Sequence, residues 1–134
     1  MCGIFGVISA SSVNTFDLKM LAQHARQRGR DSSGLIYNEG KSYQILRGDY
    51  DIELLLKKRY KTEVKSKLVL GHSRLVTDGV LDNQPVLKED ICVLHNGIIV
   101  NANDIWPSLD VIREQVIDTE IIAAIAASYM RSGK

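Results

Sequence analysis

The feature that most constrains this chain is its start, Met1-Cys2-Gly3-Ile4-Phe5-Gly6-Val7-Ile8. An apolar, β-branched run at the terminus reads as a buried strand, and this one carries a thiol at its head. An initiator methionine is usually excised when a small residue such as cysteine follows it. Excision would put a sulfur nucleophile and a free α-amino group on one residue. Such an amine has a reference pKa of about 7.7–8.0 and the thiol about 8.5, so the amine can serve as base near neutral pH. A cysteine at position 2 does not make a site by itself. The rest of the chain has to supply the groups that hold and polarise a substrate.

The other elements follow from periodicity and turn chemistry. Asn14 or Thr15 caps a helix carrying Phe16, Leu18, Met20, Leu21 and Ala25, which stops near Gly29. Gly29 to Gly34 reads as a polar, glycine-bracketed loop. Leu35-Ile36-Tyr37 and Tyr43-Gln44-Ile45-Leu46 flank Asn38-Glu39-Gly40-Lys41 as a β-hairpin. Asp51 to Lys61 is expected to be helical, with Ile52, Leu55 and Leu56 on one face. Lys67-Leu68-Val69-Leu70 begins a strand that runs into Gly71-His72-Ser73-Arg74, and turn-rich sequence follows through Asp82-Asn83-Gln84-Pro85. Ile91-Cys92-Val93-Leu94 forms a strand that meets His95-Asn96-Gly97 and continues as Ile98-Ile99-Val100. Asn103 to Leu109 makes a short, Pro-interrupted helix. Asp118 opens the last helix, with Ile121, Ile125 and Tyr129 in register and Gly133 near its stop. This order argues for an α+β fold with a largely antiparallel sheet, and strands apolar on both faces call for a layer on each side.

Composition removes several function classes. The 134 residues suffice for one domain, 1–134, with a real core. A net charge of +1 recruits neither nucleic acid nor an anionic membrane. The one basic cluster (Lys57, Lys58, Arg59, Lys61, Lys65 and Lys67) reads as a solvated helix end and loop. No apolar run approaches ~20 residues, so no membrane span is expected. The first residues lack the charged flank and cleavage site of a signal peptide. Two cysteines, Cys2 and Cys92, do not make a disulfide framework, which points to a reducing, cytoplasmic setting. Cys92 reads as a buried strand residue without chemistry.

Polar clusters fall where strands end, and loops on a rigid scaffold are where chemistry concentrates. In order they are Cys2-Gly3-Ile4-Phe5-Gly6, Arg28-Gly29-Arg30-Asp31-Ser32-Ser33-Gly34, Gly71-His72-Ser73-Arg74, Asn83-Gln84-Pro85, His95-Asn96-Gly97-Ile98-Ile99 and Asp118-Thr119-Glu120. Together they resemble the glutaminase domain of class II glutamine amidotransferases, the group of glucosamine-phosphate synthase, amidophosphoribosyltransferase and asparagine synthetase. The resemblance runs from residue 2 to about residue 125. It implies an N-terminal nucleophile hydrolase fold, an αββα sandwich of two antiparallel sheets between helix layers. It also implies glutamine hydrolysis, with ammonia passed to an acceptor synthase or transferase domain in cis or in trans.

The resemblance assigns roles that the residue chemistry can meet. Cys2 is the expected nucleophile, forming a thioester. The Asn96 amide and the Gly97 N–H are the expected oxyanion donors, although an Asn-Gly pair is also a plain hairpin turn. Arg74 matches the position that holds the substrate α-carboxylate, with a surface salt bridge as the alternative. Asp118 matches the position for the α-ammonium and is also a natural N-cap. Thr77 and Asp78 lie where further substrate contacts are made; aminosugar enzymes commonly have histidine at the second of these. Arg28 and Asp31 shape the loop beside the terminus. His72 and His95 lack acidic or cysteine partners at ligand spacing, so they read as hydrogen-bonded structural histidines and no metal or cofactor is expected. Family domains continue with more strands after the Asp-Thr-Glu helix, so the sandwich is expected to be truncated at its C-terminal side. The Arg28–Gly34 and His95–Ile99 segments resemble aminosugar synthases, whereas Gln84-Pro85 is common in asparagine synthetases, so the acceptor stays open. So does homo-oligomerisation. A catalytically silent amino-acid-binding or regulatory module is the alternative from another functional class.

Overall fold

The computed structural model describes residues 1–60, 65–76 and 82–133. Four strands form an antiparallel sheet: β1 (Gly3–Ile8), β2 (Ser32–Glu39), β3 (Ser42–Gly48) and β4 (Leu68–Arg74), in the order β1-β4-β2-β3. Two short strands, β5 (Val86–Lys88) and β6 (Ile91–Val93), form a second antiparallel pair. The helices are α1 (Thr15–Arg26), α2 (Ile52–Arg59), α3 (Ala102–Ile105) and α4 (Thr119–Arg131), with a 3₁₀ turn at Trp106–Ser108. No helix among the described residues is long and apolar enough to cross a membrane.

One face of the large sheet is closed by α1 and α2. Leu35, Tyr37, Phe5 and Val69 project into a cluster with Leu18, Ala22 and Ala25 of α1 and Ile52, Leu55 and Leu56 of α2. Complete burial of Leu18, Leu35, Ile52 and Leu55 contributes about 1.5–3 kcal/mol each. Asn14 caps α1 by accepting from the N–H groups of Phe16 and Asp17, and Asp51 caps α2 by accepting from Glu53 and Leu54. The inward stripe of α1 is Leu18, Ala22 and Ala25, whereas Phe16 and Met20 face solvent. Small alanines suit this contact because β1 comes very close: a Cβ on Gly3 would sit 2.6 Å from the Ala25 carbonyl oxygen.

The β2–β3 hairpin forms as expected, with Glu39 opposite Ser42 and Gly40 at φ 61° in the turn. Ser32, Ser33 and Gly34 belong to β2 rather than to a loop, and all three are buried. Ser33 Oγ donates to the Tyr50 carbonyl, whereas the buried Ser32 Oγ has no hydrogen-bond partner among the described residues. Gly34 faces away from the helices, toward the second pair of strands, where a Cβ would collide with the Gln84 carbonyl. On that side Asn83 Nδ2 donates to the Ser33 and Gly48 carbonyls, and Arg47 Nε donates to Pro85 O. The small sheet therefore stacks on the large one, and α4 packs against β5 and β6 on its far side. The layers run helix, sheet, sheet, helix. The second sheet leaves much of β1 uncovered, so Ile4 and Ile8 remain 46% and 79% exposed.

The segment Ile98-Ile99-Val100 does not extend β6. It is irregular, with Ile98 and Val100 exposed, because the Ile99 N–H is taken by the Asp118 carboxylate and Ile99 O accepts from Ala102. Tyr129 of α4 is likewise exposed, and the buried face of that helix is Ile121, Ala123, Ala124 and Ala127.

Candidate active site

Antiparallel register brings the first cluster together. Gly3 stands opposite Ser73 and Ser32 opposite Arg74, so Cys2, Ser32 and Arg74 share one end of the large sheet. Cys2 is half-buried there. The Gly29-to-Asp31 segment is tied to the same end: Ser73 Oγ donates to Gly29 O at 2.6 Å, and the Asp31 N–H donates to Arg74 O. Asp31 Oδ2 in turn accepts from the Val76 N–H, so Asp31 supports the end of β4.

The second cluster reaches this end from the other side of the chain. After β6 stops, His95, Asn96 and Gly97 run as an irregular loop past the terminus, and Asn96 Nδ2 donates to the Cys2 carbonyl at 3.0 Å. Both ends of the loop are held by side chains. Gln84, 4% exposed, accepts from the His95 N–H at 2.6 Å and donates to His95 O at 2.9 Å and to Thr119 Oγ1 at 3.0 Å. Asp118 Oδ2 accepts from the Ile99 N–H at 2.7 Å. Asp118 therefore does not cap α4 with its side chain: its carboxylate turns outward to the loop.

Arg74 is 8% exposed, so it is no surface ion pair. Its Nη1 donates to the Asp82 carbonyl, and Asp82 Oδ2 accepts from the N–H groups of Val116 and Ile117, just ahead of Asp118. Arg74 and Asp118 thus belong to one continuous set of bonds. Thr77 and Asp78 lie outside the described residues. Among the described residues no three His, Cys, Asp or Glu side chains group so as to hold a metal ion.

The histidines differ from expectation. His72 is fully buried on β4, and among the described residues neither of its ring nitrogens meets ordinary hydrogen-bond geometry, nor does the buried Nδ1 of His95. Burial, with the Arg74 charge second, lowers the His72 pKa to about 4, with a small opposing pull from the His95 backbone. The imidazole is neutral at physiological pH. Burial also raises the pKa of Cys92, which keeps it a thiol.

Asn83 and Gln84 belong to a motif of the family resemblance that assigns them no role, and Asp82 reads only as a turn residue; the three prove to be the connectors. So does the buried pair Lys88–Glu120. Lys88 Nζ donates to Glu120 Oε1 at 2.7 Å, to Glu114 and to Ile112 O, while Glu120 accepts from the N–H groups of Glu114 and Gln115. Burial opposes the Lys88 charge, but the bonds to Glu120 and Glu114 outweigh it and its pKa is raised.

Among solved structures the chain resembles the glutamine phosphoribosylpyrophosphate amidotransferase of B. subtilis, described in complex with ADP and GMP. The TM-score is 0.73 and the identity 24%, over 94% of this chain and 29% of that one. The architecture is that of the N-terminal nucleophile hydrolases. In sequence the chain is 33% identical over 140 residues to the glutamine–fructose-6-phosphate aminotransferase [isomerizing] of Bartonella henselae, and 34% identical over 144 residues to that of Pyrococcus horikoshii. These matches take in 99% and 98% of this chain but 23% of each relative, so the chain spans about a quarter of their length. No family model matches. Sequence and fold together fit a class II glutamine amidotransferase domain.

Proposed function

We propose that the chain is the N-terminal part, 1–134, of a domain that hydrolyses glutamine to glutamate and ammonia through a Cys2 thioester. The ammonia passes to a synthase or transferase unit, in cis or in trans. The observation that carries the reading is the Asn96 Nδ2 bond to the Cys2 carbonyl, which sets an Asn-Gly donor pair beside the thiol residue from 94 positions away.

Removal of Met1 frees the Cys2 amine, which takes the thiol proton as sulfur attacks the carboxamide carbon. An amide nitrogen has two N–H groups, and Asn96 spends one on Cys2. The other, with the Gly97 N–H, faces the oxyanion. The ammonium then protonates the leaving nitrogen, and water cleaves the thioester to restore the thiol. Arg74 holds the substrate α-carboxylate by bidentate contact. Asp118, with Oδ2 on Ile99, offers Oδ1 to the α-ammonium, and Thr77 and Asp78 add further contacts.

The test uses the full chain with Met1 removal verified by intact mass. A glutamine-mimicking diazoketone is expected to add once per chain, and Cys2→Ala to abolish the adduct. Asn96→Ala is expected to lower kcat about 10²–10³-fold with KM little changed. A folded, correctly processed chain that takes no label is instead a silent amino-acid-binding module.

A further inference from the structure

We infer that Gln84 is the positioning residue of this site, one buried carboxamide that sets the Asn96–Gly97 donors and the Asp118 carboxylate in a common frame. The inference rests on the glutamine-hydrolysing reading.

Gln84 bonds both backbone groups of His95, as a neighbouring strand residue would, at a point where β6 has already ended at Val93. The chemistry fixes the orientation of the amide: the His95 N–H requires the oxygen, and the His95 carbonyl requires the nitrogen. Asn96 and Gly97 follow directly, so their donors inherit the placement of residue 95. The second N–H of Gln84 reaches Thr119 Oγ1, one residue past Asp118. Asp118 closes the ring by accepting from Ile99. The loop from 95 to 99 is therefore clamped at its first residue by Gln84 and at its last by Asp118.

Gln84 is itself fixed to the sheet that carries Cys2. Asn83 Nδ2 ties its neighbour to the Ser33 and Gly48 carbonyls, and Asn83 Oδ1 accepts from the Gln84 N–H at 2.8 Å. A Cβ on Gly34 would lie 1.6 Å from the Gln84 carbonyl oxygen, so β2 admits the Gln84 backbone only because glycine stands there. Oxyanion donors act only when placed to within a fraction of an ångström, and displacement by about 1 Å can lower a rate about 100-fold. A group that merely satisfied loop backbone would alter folding without touching the rate per folded site.

Gln84→Met keeps side-chain length and removes all three bonds. Per Cys2 titrated with the diazoketone, its kcat is expected to fall about 10- to 100-fold, a larger change than the rise in KM that comes with the loosened Asp118 carboxylate. Gln84→Glu keeps the acceptor for the His95 N–H but sets oxygen against the His95 carbonyl. Its rate relative to wild type is expected to recover as pH falls from 8 to 5.5, because the protonated acid donates again. Wild-type kcat per titrated site in Gln84→Met, or a pH-independent ratio in Gln84→Glu, overturns the proposal. Amide hydrogen exchange at His95, from whose N–H Gln84 accepts, reads the same clamp without turnover. It is expected to quicken at least about tenfold in either variant that folds, with β4 amides unchanged. Unaltered exchange overturns the clamp. A wild-type chain inert to glutamine but with the exchange difference present sinks the hydrolysis reading alone.

Discussion

The two halves of the molecule are held by different forces. Around the large sheet, α1, α2 and the strands exclude water from aliphatic and aromatic side chains, and backbone groups pair in ladders. Around β5, β6 and α4, much of the chain between residues 94 and 118 is irregular, and its backbone groups have no ladder to join. Side chains replace the ladder: Gln84 for residue 95, Asp118 for 99, Glu120 for 114 and 115, Asp82 for 116 and 117. A segment free of strand geometry can aim its groups at a substrate. In exchange it depends on a few polar partners whose loss leaves buried groups unsatisfied.

The sharpest way to break this contrast is Lys88→Met. The substitution fills the same space but strands Glu120, 1% exposed, without its cation, and is expected to cost about 3–5 kcal/mol in urea unfolding. A loss below about 1 kcal/mol would mean that this half, too, stands on apolar packing. Next comes pH, through His72, which sits between the sheets. Its folded pKa of about 4 lies below its usual 6.5, so the unfolded chain binds the proton first. Stability from this group is whole above about pH 6.5 and is lost as pH falls toward 4, by about 3 kcal/mol in all. Urea melts at pH 7 and 4.5 should show the drop, and it should shrink in His72→Leu. The smallest effect belongs to the apolar half: Asn14→Ala removes the α1 cap and should cost about 1 kcal/mol by thermal unfolding.

Much of the apolar half could be read from the chain, because caps, turns and 3.6-residue spacing are local. Asn14, the Asn38–Lys41 turn and the Ile52, Leu55, Leu56 face fell where residue chemistry put them. Misreadings arose where a partner distant in sequence decides. Ser32-Ser33-Gly34 looks like a loop until Tyr50 and Gln84 are beside it. Ile98-Ile99-Val100 looks like a strand until Asp118 takes the Ile99 amide. In the site, motif order marked Cys2, Arg74, Asn96, Gly97 and Asp118, and the fold brings a bond from Asn96 to Cys2 and another from Asp118 into the same loop. The Asn83-Gln84-Pro85 motif holds Gln84 without giving it a role, and nothing local marks Asp82; the bonds that tie these two to the loop and to α4 span 11 to 35 residues.

Among the described residues the thiol residue leads an edge strand, with β4 on one side and no strand on the other. Phe5 of β1 is buried in the helix-backed core, so the strand is held by packing as well as by its ladder with β4. Met1 lies ahead of that ladder and is 77% exposed. The residue that an aminopeptidase must remove to unmask the amine is thus one it can reach without opening the fold.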